Sequence, residues 1–254
     1  MFVACSTRCF SRKPLESALR QIAELEFNKI DLAIVEHGPH LRPSEVAEAP
    51  EAALRRLRHG PSLTPSALDL DFGQVDEKTL RQRFEAMCRF AKPLTIAVLS
   101  IPAAPLGTPI EDEVGRLSLL AEIANQEGLV LTLATHSEPL TATPAVAVTL
   151  CQAVPGLGLT LDPSHFLAGP HAGGPFDEVF PYVQNIRFRD TGKNPGEFQV
   201  RIGQGKIDYA RIVSLLRRHG YDRSLVVSIH DEEELPFEVE VEVRKLKLLL
   251  ESLV

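Results

Sequence analysis

Short apolar, β-rich runs recur along the chain and alternate with longer stretches whose apolar residues repeat at helical spacing. The runs FVACS, KIDLAI, ALDLDF, LTIAVLS, LVLTLAT, GLGLTL, NIRF and SLVVSI predict eight strands. Between them, PLESALRQIAEL places Leu15, Ala18, Leu19, Ile22 and Leu25 on one face, and IDYARIVSLLRRHG carries a stripe of Ile212, Leu215 and Leu216 that stops at Gly220. Further helices are predicted over 44–58, 76–91, 111–127, 144–153 and 238–252. FEVEVEV, 237–243, alternates like a strand. The spacing of Leu246, Leu249, Leu250 and Leu253 behind it favours a helix. No shift in composition and no Pro/Gly/Ser-rich linker divides the chain. Strand and helix alternating eight times predict one (β/α)8 TIM barrel over residues 1–254, although a doubly wound open sheet gives similar local signals.

Composition narrows the classes of function. At 254 residues, with 44% apolar and 24% charged residues, the chain can bury a sizeable core without staples. The net charge is -7, and its basic residues, such as Arg55, Arg56, Arg58, Arg217 and Arg218, are scattered on amphipathic stretches, which argues against a nucleic-acid footprint. The four cysteines have no CxxC spacing, so they read as reduced thiols. No run is long enough to span a bilayer, and MFVACST lacks the features of a signal peptide; a cytoplasmic protein without a membrane partner is the expectation.

In a barrel of this kind, chemistry sits where strands end, so the polar residues closing each apolar run form the candidate set. They are Thr7 and Arg8; Glu36, His37 and His40; Asp69 and Asp71; Ser100; Thr135, His136 and Glu138; Asp162 and His165; Arg187, Arg189 and Asp190; and Ser228, His230 and Asp231. Five of the eight histidines fall in this set, whereas His59, His171 and His219 do not. Each rim residue also has a plain structural reading. In LDPSHF, Asp162 is a good N-cap and Pro163 a good first helical residue. Alternation on the seventh strand sends Arg187 and Arg189 one way and Ile186 and Phe188 the other, so packing of the apolar pair on helices would bring both arginines to the mouth.

The chain resembles the xylose-isomerase-like TIM barrels, the superfamily of sugar phosphate isomerases and epimerases and of endonuclease IV. The resemblance is carried by PLESALRQIAELEFNKIDLAI, by LDPSHF as the Asp-x-x-His motif, and by NIRFRDT with PGEFQVRIGQGKIDYARIVSLLRRHGYD. It implies a divalent cation (Mn, Mg or Zn) held by a Glu on strand five, the Asp of Asp-x-x-His, a His on strand seven and a Glu on strand eight. Only Asp162 matches; the other positions fall on Ala134 or Thr135, on Arg187 and near Ser228. An arginine cannot become a metal ligand, but it can polarise a carbonyl or hold an anion with fixed geometry. Alternatively Arg187 closes the site as an ion pair with Asp162.

The resemblance also implies that His165 and His136 line the pocket, where either could move protons. The reading that follows is an isomerase- or epimerase-like enzyme acting on a small sugar or sugar acid by proton transfer beside a carbonyl. His165, His136, Asp162 and Arg187 would be catalytic, and Arg189, Glu36, His37, His40, Glu138 and His230 would bind substrate. Family barrels often associate, so a homo-oligomer is an open expectation. The rivals are a barrel that binds carbohydrate without turning it over and, remotely, a nuclease of the endonuclease IV kind.

Overall fold

The computed structural model describes residues 1–254. Strand β1 (Phe2–Ser6) is followed by a 3-10 turn and α1 (Leu15–Glu24), and β2 (Lys29–Val35) by α2 (Pro43–Glu48) and α3 (Pro50–Arg58). Then come β3 (Thr64–Asp71), α4 (Glu77–Ala91), β4 (Val98–Pro102), α5 (Ile110–Gln126), β5 (Val130–Ala134) and α6 (Pro144–Ala153). The last third contains β6 (Gly158–Leu161), the short α7 (Pro163–Ala168), a 3-10 segment Asp177–Tyr182, β7 (Val183–Phe188), α8 (Tyr209–Arg218), β8 (Ser224–Val227) and α9 (Val239–Glu251). All neighbouring strands pair in parallel, and β8 returns to β1, so the sheet is a closed eight-stranded barrel rather than an open one.

The helix expected over 44–58 is two helices. Pro50 disfavours the helical region for the residue before it and offers no N–H, and Ala49 takes φ -138° and ψ 63° at the break. The doubtful stretch at 237–243 becomes helical from Val239. No helix is long and apolar enough to cross a membrane.

Alternation divides each strand into two faces with different chemistry. Leu32, Ile34, Leu68, Leu70, Leu99, Leu131, Leu133, Leu159, Ile186 and Phe188 are buried in the main apolar cluster. Phe188 lies 5.7 Å from the Tyr209 ring of α8. The other phase carries Ser6, Asp31, Asp69, Ser100, Thr132, Thr160, Asn185 and Arg187, all buried. Branched apolar residues usually dominate the interior of such barrels. Here the larger apolar residues visible in the sequence hold the helices on, and the barrel axis carries these polar groups beside smaller apolar ones such as Ala4, Ala33, Ala67, Val98 and Val226.

Candidate active site at the barrel mouth

A cavity of about 440 Å³ opens at the carboxyl ends of the strands. Its floor is an ionic network that crosses the barrel. Arg187 on β7 donates through Nε to Asp31 Oδ2 of β2 (2.7 Å), and its Nη1 lies 3.1 Å from Asp69 Oδ1 of β3. The other oxygen of Asp69 accepts Nε of Arg8 at 2.5 Å. Two guanidinium groups thus face two carboxyl groups, and burial raises the Asp31 carboxyl, with the adjacent Arg187 opposing the rise and Asp69 adding to it. Burial alone would raise the Asp69 carboxyl, but Arg187 and Arg8 outweigh it and hold its pKa at about 2. Burial likewise works against the charge on Arg187, and Asp31 and Asp69 more than restore it. The Nη2 of Arg187 and Oδ1 of Asp31 are buried without a hydrogen-bond partner, as are the hydroxyls of Ser100 and Ser228.

The second charged group is built on LDPSHF. Asp162 caps α7 by accepting the Ser164 N–H (3.0 Å) and hydroxyl (2.6 Å) on Oδ1, while its Oδ2 accepts Arg189 Nη2 at 2.8 Å. The ion pair proposed from the sequence between Asp162 and Arg187 is thus replaced by one between Asp162 and Arg189. Arg187 instead crosses to Asp31 and Asp69. The same Nη2 of Arg189 lies 2.7 Å from Nε2 of His165, and its Nη1 lies 3.3 Å from Nδ1 of His230. Because a guanidinium only donates, both imidazole nitrogens must accept. His165 therefore carries its proton on Nδ1, facing the Ser137 hydroxyl at 3.3 Å. Burial lowers the His165 pKa to about 3, with Asp162 opposing and Arg189 and His136 adding to the fall. Burial, then Arg189 and Arg8, push His230 well below its ordinary value. Burial raises and Arg189 and His165 lower the Asp162 carboxyl, leaving it at about 2.

His136 stands over His165 with ring centroids 4.0 Å apart. Its Nδ1 accepts the backbone N–H of Glu138 at 3.3 Å, so in this arrangement Nε2 carries the hydrogen. Burial lowers its pKa, opposed by Glu138 and Asp162. All three cavity imidazoles are thus neutral near pH 7. Among the carboxylates lining the cavity, Asp69 and Asp162 are ion-paired and Asp71 accepts the Gly73 N–H, whereas the Glu138 carboxylate has neither an ion pair nor a hydrogen bond.

Of the residues singled out in the sequence, His165, His136, Asp162, Arg187, Glu138 and His230 line this cavity together. Arg189 does not; only 3% exposed, it sits behind Asp162. Glu36 is occupied elsewhere, accepting the Ser44 N–H of α2 and facing Arg83, so it fixes the loop start. His37 and His40 line a separate cavity on the β1–β2 side, where His40 is held at Nε2 by the Lys13 carbonyl. Thr7 and Thr135 bond backbone, to Ala33 and to Asp162. Asp190 anchors the β7–α8 loop by accepting the N–H groups of Thr191, Gly203, Gly205 and Ile207. The sequence reading missed Asp31, Ser164 and Phe198. Asp31 left a signal, since an acid inside an apolar strand needs a buried partner. Phe198, whose ring lies 5.1 Å from His165, left none.

A divalent cation does not fit this donor set. Both oxygens of Asp162 are engaged, the remaining ligand positions hold Ala134 or Thr135, Arg187 and Ser228, and no three His, Cys, Asp or Glu side chains converge to hold an ion. Glu138, His136, His230 and Asp231 do not assemble a replacement.

The closed barrel with a polar mouth defines the class, a (β/α)8 protein with its site at the strand ends. The model of the xylose isomerase-like TIM barrel family matches residues 19–249, and the chain belongs to that family. Solved structures with the same fold include a xylose isomerase-like TIM barrel protein from Mycobacterium smegmatis in complex with magnesium (15% identity, 99% and 97% of the two chains, TM-score 0.77). Others are a probable 3-DHS dehydratase from Bacillus anthracis (17%, 99% of each chain, 0.73) and a D-allulose 3-epimerase from Methylomonas sp. (13%, 100% and 98%, 0.72). No protein of curated function matches the sequence significantly.

Proposed function

We propose that the barrel mouth binds a small carbohydrate and transfers a proton beside its carbonyl group, with fixed protein charges doing what a dication does in metal-dependent relatives. The observation that carries this reading is Arg187, clamped at Nε and Nη1 by two carboxylates while Nη2 has no partner. A guanidinium fixed in this way holds a permanent positive charge against the cavity, which favours negative charge developing on a substrate oxygen without any change in the charge's position. The neutral His136, with its hydrogen on Nε2, is a second donor for that oxygen, in the manner of a neutral imidazole polarising a carbonyl. Glu138 is the carboxylate free to take the carbon-bound proton. His165 is a poor base, because Arg189 occupies its accepting nitrogen; it and Asp162 position the wall on which His136 stacks.

The test is exchange of carbon-bound hydrogen with D2O, followed by NMR over a panel of ketoses, aldoses and sugar acids. Exchange on at least one sugar is expected, persisting in EDTA and falling roughly 10²- to 10⁴-fold in Glu138→Gln and His136→Gln. Exchange unaffected by both substitutions sinks the mechanism. A second reading, a carbohydrate-binding protein without turnover, is favoured by one observation: the Asp-x-x-His pair is tied to Arg189. Tight sugar binding with no exchange selects it.

A further inference from the structure

The mouth has a second cavity of about 290 Å³ between the ends of β1, β2 and β8, and two side chains, Arg8 and His230, line both it and the first. From this juxtaposition we infer that the protein takes a two-ring ligand, a disaccharide or other O-glycoside, with the reacting sugar in the larger cavity and the second ring in the smaller one. This rests on the carbohydrate reading above and extends it to ligand size.

The two shared side chains suit such a ligand. Arg8 is anchored to Asp69 through Nε alone, and its side chain is 33% exposed, so its terminal nitrogens stay available at the junction. His230 is fixed from behind by Arg189 at Nδ1, which leaves its Nε2–H as a donor. Its backbone is held on both sides by the Gln199 side chain, at 2.8 and 2.7 Å. Two rigid donors therefore border both cavities, the arrangement needed to grip a bridging oxygen and its neighbouring hydroxyls.

The second cavity matches a sugar ring in its own lining. Ala33, Val35 and Leu41 contribute apolar surface to the lining, while Ser11, His37 and Asp231 supply hydrogen-bonding groups. A pyranose presents the same two kinds of surface, an apolar C–H face and a polar edge of hydroxyls. Together the two spaces fall within the 300–1,000 Å³ usual for small-molecule sites. The catalytic groups proposed above do not account for this space, since His136, Glu138 and Arg187 line only the first cavity.

Calorimetric titration of the full chain with glucose and galactose, and with maltose, cellobiose and lactose, tests the inference. At least one disaccharide is expected to bind roughly tenfold tighter than its component monosaccharide. Ser11→Phe fills the second cavity from the turn after β1, and Val35→Phe fills it from β2; in either variant, with its circular dichroism and melting temperature intact, that ratio should fall to about one. Equal binding of one- and two-ring sugars, or a preference that survives both substitutions, overturns the two-ring inference and leaves the carbohydrate reading standing. If no sugar of either size binds, both fall.

Discussion

At the scale of single residues, the site is defined by which nitrogen of each imidazole is already in use. Arg189 donates to both His165 and His230, so these rings are pinned neutral and their lone pairs are consumed. A group buried neutral has a consequence for acid stability. His165 falls from its ordinary 6.5 to about 3, so between those values the unfolded chain binds a proton that the folded chain refuses. Asp162 falls from 3.8 to about 2, and again the unfolded state binds the proton first, below about pH 4. Both terms have the same sign: stability is fully present above about pH 6.5 and is lost as pH falls, first through the histidine and then through the carboxylate. Urea titrations between pH 7 and 4 should show this decline, and His165→Gln should make it shallower above pH 4, the remainder coming from His230, His136 and His40, whose pKa values burial also lowers. An unchanged slope in that variant would mean the ring titrates normally.

At the scale of elements, the β7–α8 loop shows how one buried carboxylate organises a segment that has no regular structure of its own. Asp190 satisfies four backbone N–H groups, and a Cβ on Gly205 would lie 2.0 Å from its Oδ1, so this close approach admits only glycine. The Gly-x-Gly spacing was legible in the sequence as a motif; the acid it wraps was read there as a rim residue. Removing the carboxylate in Asp190→Ala should cost about 2–4 kcal/mol, since several buried donors lose their acceptor. It should also open residues 192–206 to limited proteolysis, because the loop that brings Phe198 against His165 would lose its anchor. Resistance equal to that of the unsubstituted protein would show that the loop is held elsewhere. The same scale explains the break at Ala49: local proline chemistry overrides a helical pattern that otherwise continues through it.

At the scale of the whole molecule, the buried ions tie opposite sides of the barrel together. Arg187 links β7 to β2 and β3 through the interior, a connection no neighbouring strand pair can make. Replacing it with Leu leaves Asp31 and Asp69 with only Arg8 to balance them, and breaking a buried pair on one side costs about 3–5 kcal/mol. For a chain of this size that corresponds to a melting point lower by roughly 10 °C. Scanning calorimetry of Arg187→Leu checks this, and Arg187→Lys should recover part of the loss, because it keeps the charge but not the two-pronged donor geometry. A loss below about 1 kcal/mol would mean that the interior solvates its ions by other means.

The alternation of short apolar runs with amphipathic helices determined eight strands interleaved with helices, because period-2 and period-3.6 burial leave different patterns that need no knowledge of neighbours, whereas the choice of a closed barrel over an open sheet rests on the pairing of β8 with β1. It also located the mouth, since strand ends are visible as the points where apolar runs turn polar. Partnerships were out of its reach. Whether Asp162 meets Arg187 or Arg189, that Asp31 meets a guanidinium 156 positions away, and that Arg8 and His230 line two cavities of one mouth depend on barrel closure and strand stagger. Those quantities are set by side chains from several strands meeting across the axis, and no single segment of the chain contains them.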